Sequence, residues 1–171
     1  MRQPIANLSI AALAAGLLAL ALPPALAKGE ALPCPLAAAY RTDNPFARII
    51  RGELPVSIID QDARVIAIVP LEWEYPGHAL VIPKGPVRNL NDLTDRDAVA
   101  LMHMVKRVAA AQQRALGSTG FSLQQNNARK QDVCHLHVHV VPNTPPVPKK
   151  HATRTEMDAM AERLKAGLPP R

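Results

Sequence analysis

With 171 residues, 48% of them hydrophobic and 20% charged, the chain can bury one core and is too short for two. Aromatic residues make up only 3%, so that core must be built from Val, Ile, Leu and Ala. The formal charge of +6 suits an anionic ligand such as a phosphate ester, but no Lys/Arg block interleaved with aromatics suggests a nucleic-acid surface, and no nucleic-acid partner is expected.

Residues 1–27 carry an early Arg2, an apolar run from Leu8 to Leu22 and a closing Ala25-Leu26-Ala27. This is the pattern of a signal peptide with a small-x-small cleavage site. Cleavage after Ala27 removes one Arg and no acid, leaving a charge of +5. A periplasmic or secreted location is expected; an uncleaved membrane anchor is the competing reading, favoured only if this segment is retained. Export bears on Cys34 and Cys134, because an oxidising compartment favours their pairing. Two unpaired thiols are the alternative.

Residues 28–42 read as an irregular lead-in. A short helix is predicted from Asn44-Pro45 through Arg51, stopped by Gly52 and Pro55, with Phe46, Ile49 and Ile50 on its buried face. Val56–Asp60 and Ala63–Val69 read as a hairpin linked at Gln61-Asp62, Pro70–Gly77 as a loop, and His78–Ile82 as a third strand ending at Pro83. The longest helix is predicted from a Thr94 cap to Leu116, with Ala98, Leu101, Met102, Val105, Val108 and Ala109 as its apolar stripe and His103 on its surface. Gly120–Asn126 reads as a fourth strand, Asn127–Asp132 as a polar turn and Val133–Val141 as a fifth strand. Residues 144–171 form a Pro-rich linker and a last helix capped by Thr155; Lys149, Lys150, His151 and Arg154 form a solvated basic cluster beside it. There are no internal repeats.

The chemistry concentrates in His135-Leu136-His137-Val138-His139-Val140-Val141. On a strand this alternation puts three imidazoles on one face, roughly 6–7 Å apart, and the aliphatic residues on the other. Cys134 shares the parity of Leu136 and so faces away from the histidines. Neutral imidazole is both a metal ligand and a nucleophile toward phosphorus, and an imidazolium stabilises charge on phosphoryl oxygens. A metal centre would need further ligands, yet the chain has no Cys-x-x-Cys and no second His cluster; Asp132 and His78 would have to complete the shell. Phosphate chemistry is the favoured reading, with no metal or cofactor expected.

These residues resemble the histidine triad (HIT) family, whose signature is His-φ-His-φ-His-φ-φ with φ apolar; His135–Val141 matches at every position. Asn44–Pro55 is similar to the family's opening helix and Pro76–Lys84 to its central strand, and the resemblance spans about 43–143. It implies an α+β fold in which an antiparallel sheet of about five strands carries one long helix across it, as a homodimer. It also implies cleavage at the α-phosphate of a nucleotide conjugate. Carried over to this sequence, His137 would be the nucleophile forming a phosphohistidine, with its other ring nitrogen held by the His135 carbonyl. His139 and His78 would donate to the phosphate, Gln131 would orient the phosphate or leaving group, Asn126 would contact sugar or phosphate, and Phe46 and Ile49 would form the base pocket.

Departures redirect the substrate question. Pro70 stands where many members have an acid that binds the ribose, with Glu72 or Glu74 as possible compensation, and Trp73 stands where proline is frequent. Asp132 replaces a small hydroxyl residue. Asn44, Ala47 and Pro86 occupy positions of zinc ligands in zinc-binding members, so structural zinc is not expected. The leading expectation is an exported hydrolase or transferase of a nucleotide phosphoramidate or phosphoanhydride. Alternatives are a hydrolase of a CDP-diacylglycerol-type lipid nucleotide and a non-catalytic periplasmic metal- or nucleotide-binding module.

Overall fold

The computed structural model describes residues 34–148 and 150–171; the expected signal peptide and the first residues of the lead-in lie outside them. Helix α1 (Pro45–Ile50) starts where Asn44, in extended conformation, accepts the Ala47 N–H on its side-chain oxygen at 2.9 Å. Pro45 supplies a first residue already fixed for helix, and Gly52, at φ +76°, turns the chain out after Arg51.

Strands β1 (Ile58–Gln61) and β2 (Val65–Ile68) form the predicted hairpin, but the link is the three residues Asp62–Arg64. There Asp62 Oδ1 accepts the N–H groups of Arg64 and Val65, an Asx-type closure that fixes the turn. After β3 (Glu72–Trp73), strand β4 (Ala79–Pro83) pairs antiparallel with β2 and with β6 (Val138–Pro142), and β5 (Phe121–Gln125) closes the far edge. The result is an antiparallel five-stranded sheet in the order β1-β2-β4-β6-β5.

Helix α2 (Asp95–Leu116) lies across one face of the sheet, capped by Thr94 and ended by Gly117 at φ +67°. Its apolar stripe buries Leu101, Met104, Val105 and Val108 against Val65, Ala67, Val81, Val138 and Val140. The expected Met102 is 46% exposed and Met104 takes its place, because Met104 sits three residues after Leu101 and four before Val108. Gln112, fully buried, pins the helix by donating to the carbonyls of Gly77 and Val140 at 3.0 and 2.9 Å. Gly77 is required there: it adopts φ +92°, and a Cβ would collide with a Leu116 methyl. On the opposite face Phe46 joins Ile66, Ile68, Leu80 and Ile82. Strands β2 and β4 are therefore buried on both faces and read as unbroken apolar runs.

Three expectations are corrected. The fifth strand is paired only from Val138, because β4 ends at Pro83 and residues 133–137 meet no strand backbone among the described residues; Leu136 N–H instead donates to Val87 O. The stretch Pro70–Gly77 is not all loop. Its Glu72–Trp73 pairs with β7 (Lys150–His151), a small second sheet that periodicity over two residues cannot reveal. In the basic cluster, where Lys149 lies outside the described residues, His151 is exposed and pairs with Glu72 at 2.9 Å, and Arg154 donates to Ser57 Oγ and Pro55 O. The last helix, α3 (Arg154–Ala166), is capped by Thr153 rather than Thr155, through a reciprocal box with Glu156, and buries Met157, Ala161 and Leu164.

Cys34 and Cys134 form a disulfide that joins the lead-in to the segment before the histidines. Arg88, 4% exposed, holds the same lead-in by donating to the carbonyls of Pro35, Leu36 and Ala38. At the other end of the chain Asp60 accepts from Arg107 and Arg171, each at 2.7 Å. Burial alone would raise the Asp60 pKa, but the two guanidiniums hold it below the ordinary carboxylate value.

Replacing Asp60 with Ala would leave the 9%-exposed Arg107 guanidinium without its carboxylate, and should lower the unfolding free energy in urea by about 3 kcal/mol. The disulfide closes a span of 100 residues, so Cys34→Ser/Cys134→Ser should cost about 3–4 kcal/mol in the same titration.

Candidate functional site

The sheet brings the histidines together where β4 and β6 run side by side. Leu136, Val138 and Val140 point into the core beneath α2, and the intervening histidines point to the other side, as the alternation requires. His135 is 1% exposed. Its Nε2 lies 2.8 Å from Pro83 O, and because a carbonyl only accepts, that nitrogen carries the proton. The Tyr40 hydroxyl lies 2.7 Å from the other nitrogen, Nδ1.

His137 Nδ1 donates to His135 O at 2.8 Å, so the neutral ring presents a bare Nε2. Its ring lies 5.1 Å from Phe46, edge to face, and 5.0 Å from His139. His139 Nδ1 and His78 Nε2 are 3.0 Å apart, with the rings stacked at 5.1 Å. His78 stands just ahead of β4 and His139 in β6, so adjacent strands of the sheet make this pair.

Burial dominates the electrostatics. It pushes His78 down to about 4, helped by the neighbouring His139 and His137. It pushes His135 to about 4 against the opposing Pro83 carbonyl, and His139 to about 4 against the charge of Asp132. His137 is also lowered by burial, with the His135 carbonyl and Asp132 pulling the other way. At neutral pH the four rings are neutral, which a nitrogen nucleophile requires.

Beside the histidines opens a cleft of about 480 Å³, walled by His78, His139, Asp132, Gln124, Trp73 and Pro70. Of the four rings, His78 and His139 face this cleft with Asp132, while His135 and His137 are buried at 1% and 6% exposure.

Of the residues singled out from sequence, His78, His135, His137, His139 and Phe46 come together. Ile49 packs partly buried in the apolar cluster around Phe46. Gln131, 1% exposed, has both ends committed to backbone: Nε2 donates to Arg88 O at 2.5 Å, and Oε1 accepts from Ala128 N–H at 3.2 Å. It braces a turn in which Ala128 and Lys130 take φ +56° and +62°. Asn126 is half-buried, and its side-chain oxygen accepts from Gln124 at 3.3 Å; Gln124, not Asn126, lines the cleft. Glu72 and Glu74 also border it. Sequence reasoning missed Tyr40 and Gln124. Tyr40 lies in a lead-in with no periodicity to mark it, whereas the alternation of the fourth strand could have placed Gln124 on the histidine side opposite His139.

The HIT domain profile matches residues 51–145. Among curated relatives, a purine nucleoside phosphoramidase from Escherichia coli is 33% identical over 103 residues, covering 58% of this chain and 87% of that protein. An adenosine 5'-monophosphoramidase from Schizosaccharomyces pombe is 31% identical over 99 residues, covering 57% and 71%. Among solved structures, a Hit-like protein from Bartonella henselae superimposes with a TM-score of 0.72 at 32% identity, over 77% of this chain and all of that one. The alternating histidines, their five-stranded support and the matched domain together place this chain in the HIT family.

Proposed function

We propose that this HIT-type nucleotide hydrolase cleaves at the α-phosphate of a nucleotide phosphoramidate or phosphoanhydride, with His137 as the nucleophile. The observation that carries the reading is the bond from His137 Nδ1 to the His135 carbonyl: it holds the ring in the tautomer whose Nε2 lone pair is free. Attack of Nε2 on phosphorus forms the N–P bond as the bond to the leaving group breaks. The leaving amine or phosphate takes a proton that originates from solvent as it departs, and water then cleaves the N–P bond to release the nucleoside monophosphate. The adjacent His78–His139 pair provides N–H donors for phosphoryl oxygens and a route for the proton. The named activities of the phosphoramidase relatives support the phosphoramidate branch.

A lipid-linked nucleotide of the CDP-diacylglycerol type is the second reading. Pro70 on the cleft wall and the 63%-exposed Leu71 next to it give this side an apolar lip at the position where many family members carry a ribose-binding acid. The disulfide supports export to an oxidising compartment. A homodimer is supported by β5, a sheet edge that leaves Phe121 and Leu123 44% and 43% exposed.

The test is brief incubation of the protein, and of His137→Asn, with adenosine phosphoramidate, a diadenosine polyphosphate and a CDP-lipid analogue, followed by intact-mass spectrometry. A nucleotidyl adduct on the parent protein and a loss of turnover of at least about a thousandfold in the variant are expected. Turnover that survives His137→Asn contradicts the assignment. Because burial lowers the pKa of His137, its ring stays neutral to lower pH than a free imidazole. The kcat/KM profile should therefore be level from pH 8 and fall only with a midpoint below the usual 6.5; a midpoint at or above that value would contradict it.

A further inference from the structure

Residues 34–41 precede the matched domain, yet they reach its catalytic row. Cys34 is bonded to Cys134, the residue immediately before His135. Arg88 gathers the carbonyls of Pro35, Leu36 and Ala38, and the backbone of Cys34 bridges to Ala128 in the turn braced by Gln131. These fastenings deliver Tyr40 to His135, with ring centres 5.6 Å apart and the hydroxyl 2.7 Å from Nδ1.

We propose that Tyr40 is a positioning residue for the histidine row, held against His135 by the oxidised Cys34–Cys134 bridge. Its effect on rate rests on the reading of His137 as nucleophile; the hydrogen bond itself does not.

Donor and acceptor accounting carries the proposal. His135 spends its one proton on Pro83 O, so Nδ1 is an acceptor in a residue 1% exposed. An unmatched acceptor at that depth is costly, and the Tyr40 hydroxyl meets it. With both nitrogens engaged, the ring has one tautomer and one orientation. The same residue's backbone carbonyl holds His137 Nδ1 at 2.8 Å, so a fixed His135 fixes the direction in which His137 Nε2 points. Without the hydroxyl, His135 can turn over or exchange tautomers, its bond to Pro83 competes with alternatives, and the aim of His137 loosens. Small errors of aim are expensive in a displacement that needs an aligned nucleophile. The disulfide enters because Tyr40 lies in no helix or strand; its place is set by the lead-in, and the lead-in is anchored by the bridge and by Arg88.

Four proteins in a cycle test this: the full chain, Tyr40→Phe, Cys34→Ser/Cys134→Ser and the combined variant, each checked for a cooperative melt. The first readout is the imidazole 15N spectrum without substrate. The parent should show His135 protonated at Nε2 with a hydrogen-bonded Nδ1; in Tyr40→Phe the Nδ1 resonance should move toward that of a free acceptor. An unchanged His135 signal overturns the positioning role even if no substrate has been found. The second readout is hydrolysis of adenosine phosphoramidate. Tyr40→Phe should lower kcat about tenfold with KM within about twofold, and removing the hydroxyl should cost far less once the bridge is gone. Equal losses from Tyr40→Phe with and without the bridge overturn the dependence on the disulfide. If the parent turns over none of the nucleotide panel, the nucleotide reading fails while the spectrum still decides the contact between Tyr40 and His135.

Discussion

The site depends on one hydrogen bond, from the His137 ring to the carbonyl of His135 two residues earlier. That contact is framed by the strand that begins at Val138 and by the core beneath it. Val138 and Val140 enter the ladder between β4 and β5, and Leu136, Val138 and Val140 are drawn under α2. Helix α2 is itself locked by Gln112, whose amide reaches the carbonyls of Gly77, next to His78, and of Val140, next to His139. Core, helix and histidine row are thus set by the same few contacts.

Four imidazoles in mutual reach would repel one another if charged, and the site avoids this by burial. The cost of desolvating a cation there keeps the rings neutral, while the field of the Asp132 carboxylate opposes that tendency at His137 and His139. The cleft is therefore unlike a cationic phosphate trap. It offers imidazole lone pairs and N–H dipoles in place of fixed positive charge.

The parts legible in the sequence are those with a period. The histidine face, the long helix with its Thr94 and Gly117 ends, the α1 cap at Asn44 and the order of the large strands along the chain all come from alternation, 3.6-residue spacing and capping chemistry. The features that escape are non-local. A two-residue strand such as Glu72–Trp73 exists only because Lys150–His151 returns beside it, and no window of sequence contains both. Tyr40 is invisible for the same reason: its meaning comes from a disulfide and an arginine that bring an aperiodic segment to His135. Gln131 stands out by resemblance, but its hydrogen bonds to Arg88 and Ala128 belong to the turn rather than to the cleft. Alternation also overextends the strand before Val138, because it reports which way side chains face and says nothing about whether a neighbouring strand is there to pair.

The Cys34–Cys134 bridge also shapes how the chain matures. Its two halves are the only cysteines in the sequence, so a single intramolecular pairing exists and oxidative folding has no wrong isomer to unscramble. The halves are separated by 100 residues, however, so during synthesis the first thiol waits until nearly the whole sheet has emerged. Strand β6 and helix α3 follow Cys134 in the chain, so the second thiol is in place before the C-terminal part of the fold is made.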